Sequence, residues 1–231
     1  MPTNFWNKRE SIIRSDILVT PAILKMIGDV KGKNILDLGC GDGTISSLVC
    51  KKGGKVIGVD KNEVSINLAR KKEGKYICND LDDVDFQKEQ FDIIYSSMVF
   101  LFLNDKEIKS LIDRIYSWLK KDGIFIFSDI HPTTEIQKGR FTLVKNKIPK
   151  NFNYFKTSKM RAILYNLNKK ACSFDYYHRS LSKYIELICL KGFHLTALKE
   201  PQATPVQVKK YKLIFEQSIP SYIILKFVKG K

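Results

Sequence analysis

Histidine and cysteine are scarce: three and five of 231 residues, with no two cysteines in a C-x-x-C pair. An odd set (Cys40, Cys50, Cys78, Cys172, Cys189) argues against a disulfide framework and a structural zinc site and points to a reducing, cytoplasmic compartment. No apolar run approaches the roughly 18 residues a membrane span requires, and MPTNFWNKRE at the start lacks the apolar core of a signal peptide. Acids are few against bases: 24 Asp+Glu face 40 Lys+Arg, for a net charge of +16. That excess has two readings, attraction to nucleic acid or an anionic substrate, and a lysine-rich habit that decorates solvated faces. Lysines spread over every segment favour the second. The exception is 136–170, with ten basic residues and no acid.

What is present is organised around 33–62, KNILDLGCGDGTISSLVCKKGGKVIGVDKN. Asn34 to Leu38 reads as a buried strand. Gly39, Gly41 and Gly43 follow at alternate positions, then a helix from Thr44 to about Lys52, and a strand from Val56 ending on Asp60. Strand, glycine turn, helix, strand and acid make a nucleoside-binding half of a doubly wound sheet, and an acid at Asp60 is placed to accept hydrogen bonds from ribose hydroxyls. Glycine lets the backbone turn sharply and come close to a ligand that a Cβ would push away. A dinucleotide turn is spaced G-x-G-x-x-G; here it is G-x-G-x-G, with Asp37 two residues ahead. An acid there suits a cationic ammonium better than a pyrophosphate.

These residues resemble motif I of the class I S-adenosylmethionine-dependent methyltransferases, D-x-G-x-G-x-G, and the chain is most similar to their small-molecule, type 11-like branch. Asp37, Gly39, Gly41 and Gly43 match the motif. The resemblance implies S-adenosylmethionine as cofactor, with Cys40 in the same turn, Asp60 and Lys61 at the ribose, and Asp80 with Leu81 at the adenine. It also implies an α/β fold: a mostly parallel, doubly wound seven-stranded sheet, last strand antiparallel, helices on both faces. Residues 1–231 then form one domain, with 1–30 as a helical lid and 133–178 as a cap insertion.

Along the chain, 8–30 reads as helical, with Thr20 as N-cap and Pro21 at the first helical position. Phe5 and Trp6 are either lid aromatics or packing. Asn62 caps a helix whose buried side would use Val64, Ile66, Leu68 and Ala69, with Gly74 as its stop. A third strand, Lys75 to Cys78, and a fourth, Phe91 to Ser96, follow. Ser96 then lies where the methyl should emerge, because open sheets bind ligands outside the carboxyl ends of their strands. Ser96-Ser97-Met98-Val99 lacks the acid-or-Asn then Pro-Pro-aromatic motif of methyltransferases acting on adenine or glutamine nitrogens. VFLFL (99–103) reads as core. A helix from Asp105 leads through a Lys120-Lys121-Asp122-Gly123 turn to the strand IFIFSDI.

FTLVKN (141–146) and NYFKTS (153–158) read as short strands. The helix LSKYIELICLKGF would turn Leu181, Tyr184, Ile185, Ile188 and Cys189 inward, and 194–201 would pair antiparallel with 221–228. In-line displacement at a sulfonium methyl asks the protein mainly for positioning; an oxygen acceptor also needs a base. His131, after the fifth strand, is the first candidate and His178 the second. Each has a packing role as its alternative, as does His194 mid-strand. Phe141, Tyr154, Tyr177 and Arg179 are candidates for holding a small-molecule methyl acceptor. A second reading makes 136–170 an arm for RNA, since interleaved basic and aromatic residues track single strands. A third makes the chain a non-catalytic cofactor-binding protein, which the intact glycines and acids oppose. No metal is expected, and the sequence is silent on oligomeric state.

Overall fold

The computed structural model describes residues 13–134, 152–165 and 171–230. Nine strands are described: β1 Asn34–Leu38, β2 Lys55–Asp60, β3 Lys75–Cys78, β4 Phe91–Ser97, β5 Leu119–Ile130, β6 Ser158–Tyr165, β7 Ala171–His178, β8 Phe193–Lys199 and β9 Tyr222–Lys229. The helices are α1 Arg14–Ile27, α2 Thr44–Cys50, α3 Glu63–Ala69, α4 Asp105–Trp118, α5 Leu181–Cys189 and α6 Pro205–Tyr211. Seven strands form one sheet in the order β3-β2-β1-β4-β5-β9-β8. β1 to β5 run parallel, and β9 lies antiparallel between β5 and β8. This is the expected doubly wound sheet, its last strand reversed.

The central strands are apolar on both faces because both faces are covered. Leu36, Leu38, Ile94 and Phe127 pack with Ile108, Leu111 and Ile115 of α4 and Ile188 of α5. Ile35, Ile93, Tyr95 and Ile126 pack on the other side with Ile17, Ile23 and Ile27 of α1. From β1 the chain winds out through β2 to β3, then returns to β4 beside β1. Strand order therefore reverses between β1 and β4, and a crevice opens at their carboxyl ends.

Local expectations were corrected in five places. Thr20 is not an N-cap: α1 runs through Thr20 and Pro21 without a break. Proline cannot bond back to the carbonyl of Ile17, four residues earlier, and the Gln207 side-chain amide donates to that oxygen instead at 3.1 Å. In α3, Asn62 does cap, accepting from Ser65 N at 3.0 Å, but Val64 and Leu68 stay exposed while Ser65 is buried. In α5, Leu187 is buried and Ile185 only partly so. The Lys120–Gly123 turn belongs to β5, where the register against β4 slips and Asp122 takes φ 59°.

NYFKTS is mostly turn. Asn153 Oδ1 accepts from Phe155 N at 2.9 Å and its carbonyl from Lys156 N at 3.1 Å, the side-chain turn that asparagine favours. β6 starts only at Ser158 and pairs with β7 as an antiparallel hairpin. Met160, Phe174 and Tyr176 of that hairpin pack on Leu101. Phe5, Trp6, the 141–146 strand and Phe141 lie outside the described residues. Among the described residues no helix is long and apolar enough to cross a membrane, and no group of three potential ligands converges as a metal site.

Candidate functional site

The glycine turn begins where β1 ends. Gly39 and Cys40 both donate N–H to Val59 O, at 2.8 and 3.0 Å, which folds the turn back over β2. Gly39 takes φ +76°, and a Cβ there would sit 2.2 Å from Val99 Cγ2, so the position admits only glycine. Gly41, at φ +54°, faces open space: a Cβ would meet nothing within 4 Å. Beyond it lies a cavity lined by Gly39, Cys40 and Gly41, by Asp60, Lys61 and Asn62 after β2, and by Asp80 and Leu81 after β3. Ser97, Met98 and Val99 after β4 continue the wall, with Phe102, Leu103 and, from α4, Glu107 and Leu111. Ile13, Ser15, Asp16 and Thr20, at the start of α1, close another side. The crevice of the switch point is therefore a walled room.

Electrostatics decide which groups can act there. Asp60 Oδ2 accepts from Gly41 N at 2.9 Å and Oδ1 from Asn62 N at 2.8 Å, so the carboxylate braces the turn from the rim. Each oxygen keeps a second lone pair for a ligand hydroxyl. Lys61 Nζ meets Asp80 Oδ2 at 2.7 Å, and that hydrogen bond holds the Asp80 carboxyl below its usual range. Burial pushes the Cys40 thiol far up, which keeps it protonated and unreactive.

Other predicted residues are not on the wall. Asp37 is 2% exposed and turned into the packing beneath the turn, where Ser46 Oγ and Tyr95 OH donate to it at 2.6 and 2.7 Å. Its pKa is pushed up to about 7, first by burial, with the two hydroxyls working against that and Asp60 and Asp42 adding to it. Ser96 is buried and donates to Leu38 O at 3.0 Å; its neighbour Ser97 faces the cavity. The physical reason is strand alternation: consecutive side chains point to opposite faces.

Neither candidate base reaches the cavity wall. His131 is buried, with Nε2 2.8 Å from Glu200 Oε1 and Nδ1 2.7 Å from Thr133 Oγ1. His178 is buried beside Phe152 and Tyr154, its Nε2 2.9 Å from Tyr154 O. Tyr154 is half-buried, its hydroxyl accepting from Leu181 N at 3.3 Å. Arg179 is 1% exposed and spends its donors on Asp105 and on the carbonyls of Phe100 and Leu103, with Tyr177 against its guanidinium. Sequence reasoning expected a helical lid over 1–30 without naming its lining residues, and it missed the wall turn. Of VFLFL only Phe100 and Leu101 are core, while Val99, Phe102 and Leu103 line the cavity. One signal was available: Asn104 and Glu107 form a capping box, which marks the end of that turn.

Residues 35–123 match the family described as "Methyltransferase domain". An uncharacterised protein of Haemophilus influenzae is 28% identical over 202 residues, 81% of this chain and 77% of that one. Phosphoethanolamine N-methyltransferase 1 of Arabidopsis thaliana is 31% identical over 118 residues, 47% of this chain. That match spans 24% of the plant enzyme, so the chain covers about a quarter of its length. A crystal structure of an S-adenosylmethionine dependent methyltransferase from Mesorhizobium loti superposes with a TM-score of 0.72 at 22% identity, over 90% of this chain and 96% of that one. The glycine cradle, its open face at Gly41 and the acids on the rim fit the nucleoside of that cofactor. Residues 35–123 thus match a methyltransferase domain, and the chain as a whole has the fold of the S-adenosylmethionine dependent methyltransferase on which it superposes.

Proposed function

We propose that the protein methylates a small molecule on oxygen, nitrogen or carbon, the acceptor entering beside the Met98–Leu103 wall. One observation carries this reading: the glycine turn and the apolar turn 99–103 bound the same cavity, so cofactor and acceptor share one room. S-Adenosylmethionine supplies a methyl on a cationic sulfur, already activated for in-line displacement. The chain's own residues bind and orient. Gly39 to Gly43 allow close backbone approach, Asp60 accepts from ribose hydroxyls, and Asp80 with Leu81 holds the adenine. Met98, Val99 and Phe102 exclude water from the acceptor. Such positioning contributes up to roughly 7–11 kcal/mol of the barrier.

The plant relative's name supports an acceptor with an amine. No role as base is proposed for His131 or His178, whose rings are engaged off the cavity. Turnover across a metabolite panel, followed as S-adenosylhomocysteine release, tests the reading. RNA methylation is the second reading, favoured by the ten bases and no acid of 136–170. Turnover of RNA, together with binding whose log–log salt slope is about −0.7 per phosphate, would replace the small-molecule reading.

A further inference from the structure

The β6–β7 hairpin stands on the cavity wall by two feet, and both reach one carboxylate. Thr157, just before β6, donates Oγ1–H to Asp105 Oδ2 at 3.1 Å. Arg179, just after β7, donates Nε–H to Asp105 Oδ1 at 2.7 Å. Asp105 is the first residue of α4, so the hairpin is anchored where the wall turn becomes helix. The rest of the guanidinium faces that turn. Nη1 donates to Phe100 O at 3.3 Å and Nη2 to Leu103 O. The Tyr177 and Tyr184 ring centres lie 5.4 and 5.8 Å from its central carbon.

Those two carbonyls bound the 3-10 turn Phe100–Phe102, which presents Phe102 and Leu103 to the cavity. The same turn begins at Val99, whose methyl occupies the space a side chain at Gly39 would need. The hairpin also grips the turn by packing, with Phe174 edge-on to Phe102 at 5.7 Å. Arg179 itself is not on the cavity wall, so it does not touch a ligand there.

We propose that Arg179 and Asp105 form a positioning pair through which the β6–β7 hairpin fixes the Val99–Leu103 wall of the cofactor and acceptor cavity. The chemistry asks for arginine: a planar fork serves a carboxylate and two carbonyls at once, whereas lysine offers a single point of charge. The proposal rests on the cavity being the cofactor site, and the two claims fail separately.

The probe is S-adenosylhomocysteine, titrated calorimetrically into the full chain and into Arg179→Lys, Asp105→Asn and the double variant, at a temperature where circular dichroism shows each folded. A Phe102→Trp reporter, read as a difference from the same chain without it, follows the wall directly. Failure of the unmodified chain to bind would sink the cofactor-site reading itself. Each single variant should weaken binding by about tenfold, and the double variant by no more than either, as contacting residues in one network do. The reporter's emission should shift to the red in each. Folded variants that bind within about twofold of the unmodified chain, with unchanged reporter emission, would make the pair a stability element and overturn the proposal. Should Arg179→Lys not fold, Thr157→Val removes only the weaker foot: the reporter should shift part of the way, and no shift would overturn the proposal as well.

Discussion

Arg14 and Arg179 are both buried guanidiniums paired with an acid beside the cavity, and they differ in how completely they are satisfied. Arg179 donates from all three nitrogens, and its partner Asp105 also takes Thr157. Arg14, in the helix that closes the α1 side, donates from Nη1 to Glu216, which is 1% exposed. Arg14 Nε and Glu216 Oε2 have no hydrogen-bond partner among the described residues. A buried ion pair must recover a desolvation cost of several kcal/mol, and it does so only when the remaining polar atoms are paired too. The first pair therefore stiffens its turn, while the second holds its helix at a net cost.

Breaking the satisfied pair should have the largest effect. Arg179→Met strands Asp105 and two carbonyls, and urea unfolding should show a loss of about 3 kcal/mol, the low end for a broken buried pair. The low end applies because the Asp105 side chain is 34% exposed. A loss below about 1 kcal/mol would put Arg179 in the same class as Arg14.

Asp37 sharpens the comparison, since two hydroxyls and no cation donate to its buried carboxyl. Folding raises its pKa from 3.8 to about 7. Its stabilising contribution is therefore complete below the unfolded value and is lost as pH rises through about 7. Above pH 7 the ionised form works against folding, by up to about 4 kcal/mol at 1.36 kcal/mol per pKa unit. Asp37→Asn should stabilise the ligand-free protein by about 2 kcal/mol at pH 8 and by less at pH 5. Thermal melts of both proteins at the two pH values check this, and a gap that does not widen with pH would refute it.

Replacing the incompletely satisfied pair as a whole should matter less. Arg14→Met with Glu216→Leu should leave stability within about 1 kcal/mol or raise it, as exchanges of buried ion pairs for apolar residues do. A loss of about 3 kcal/mol in chemical denaturation would show that Arg14 is as well served as Arg179. The smallest effect is expected at His131. Its ring is held by Glu200 and Thr133 away from the cavity, so His131→Ala should leave the calorimetric affinity for S-adenosylhomocysteine within about twofold. A loss of about tenfold would return the residue to the site.

The reversed last strand came with the family resemblance; sequence alone determined the alternation of strands and helices from β1 to β5 and the glycine turn with its strand-ending acids. These follow from local chemistry: three glycines whose backbone angles other residues resist, and acids that end strands at the ligand face of an open sheet. Asp60 was readable for that reason, because it ends β2, while Asp80, two residues beyond β3, came with the family resemblance. Tertiary structure decided which way the neighbouring side chains face. Asp37 and Ser96 sit within a residue or two of cavity-lining positions yet point into packing, because β1 and β4 are covered on both sides. Pro21 reads as a helix start until Gln207, 190 residues beyond Ile17, supplies the donor that lets α1 continue. Arg179 reads as a ligand for an anionic acceptor until the carbonyls of Phe100 and Leu103 and the carboxylate of Asp105 claim its donors. A side chain's chemistry is written in the chain, but partners such as Tyr95 for Asp37 or Glu216 for Arg14 come from segments 58 to 202 residues away, and only the folded arrangement brings them within hydrogen-bonding distance.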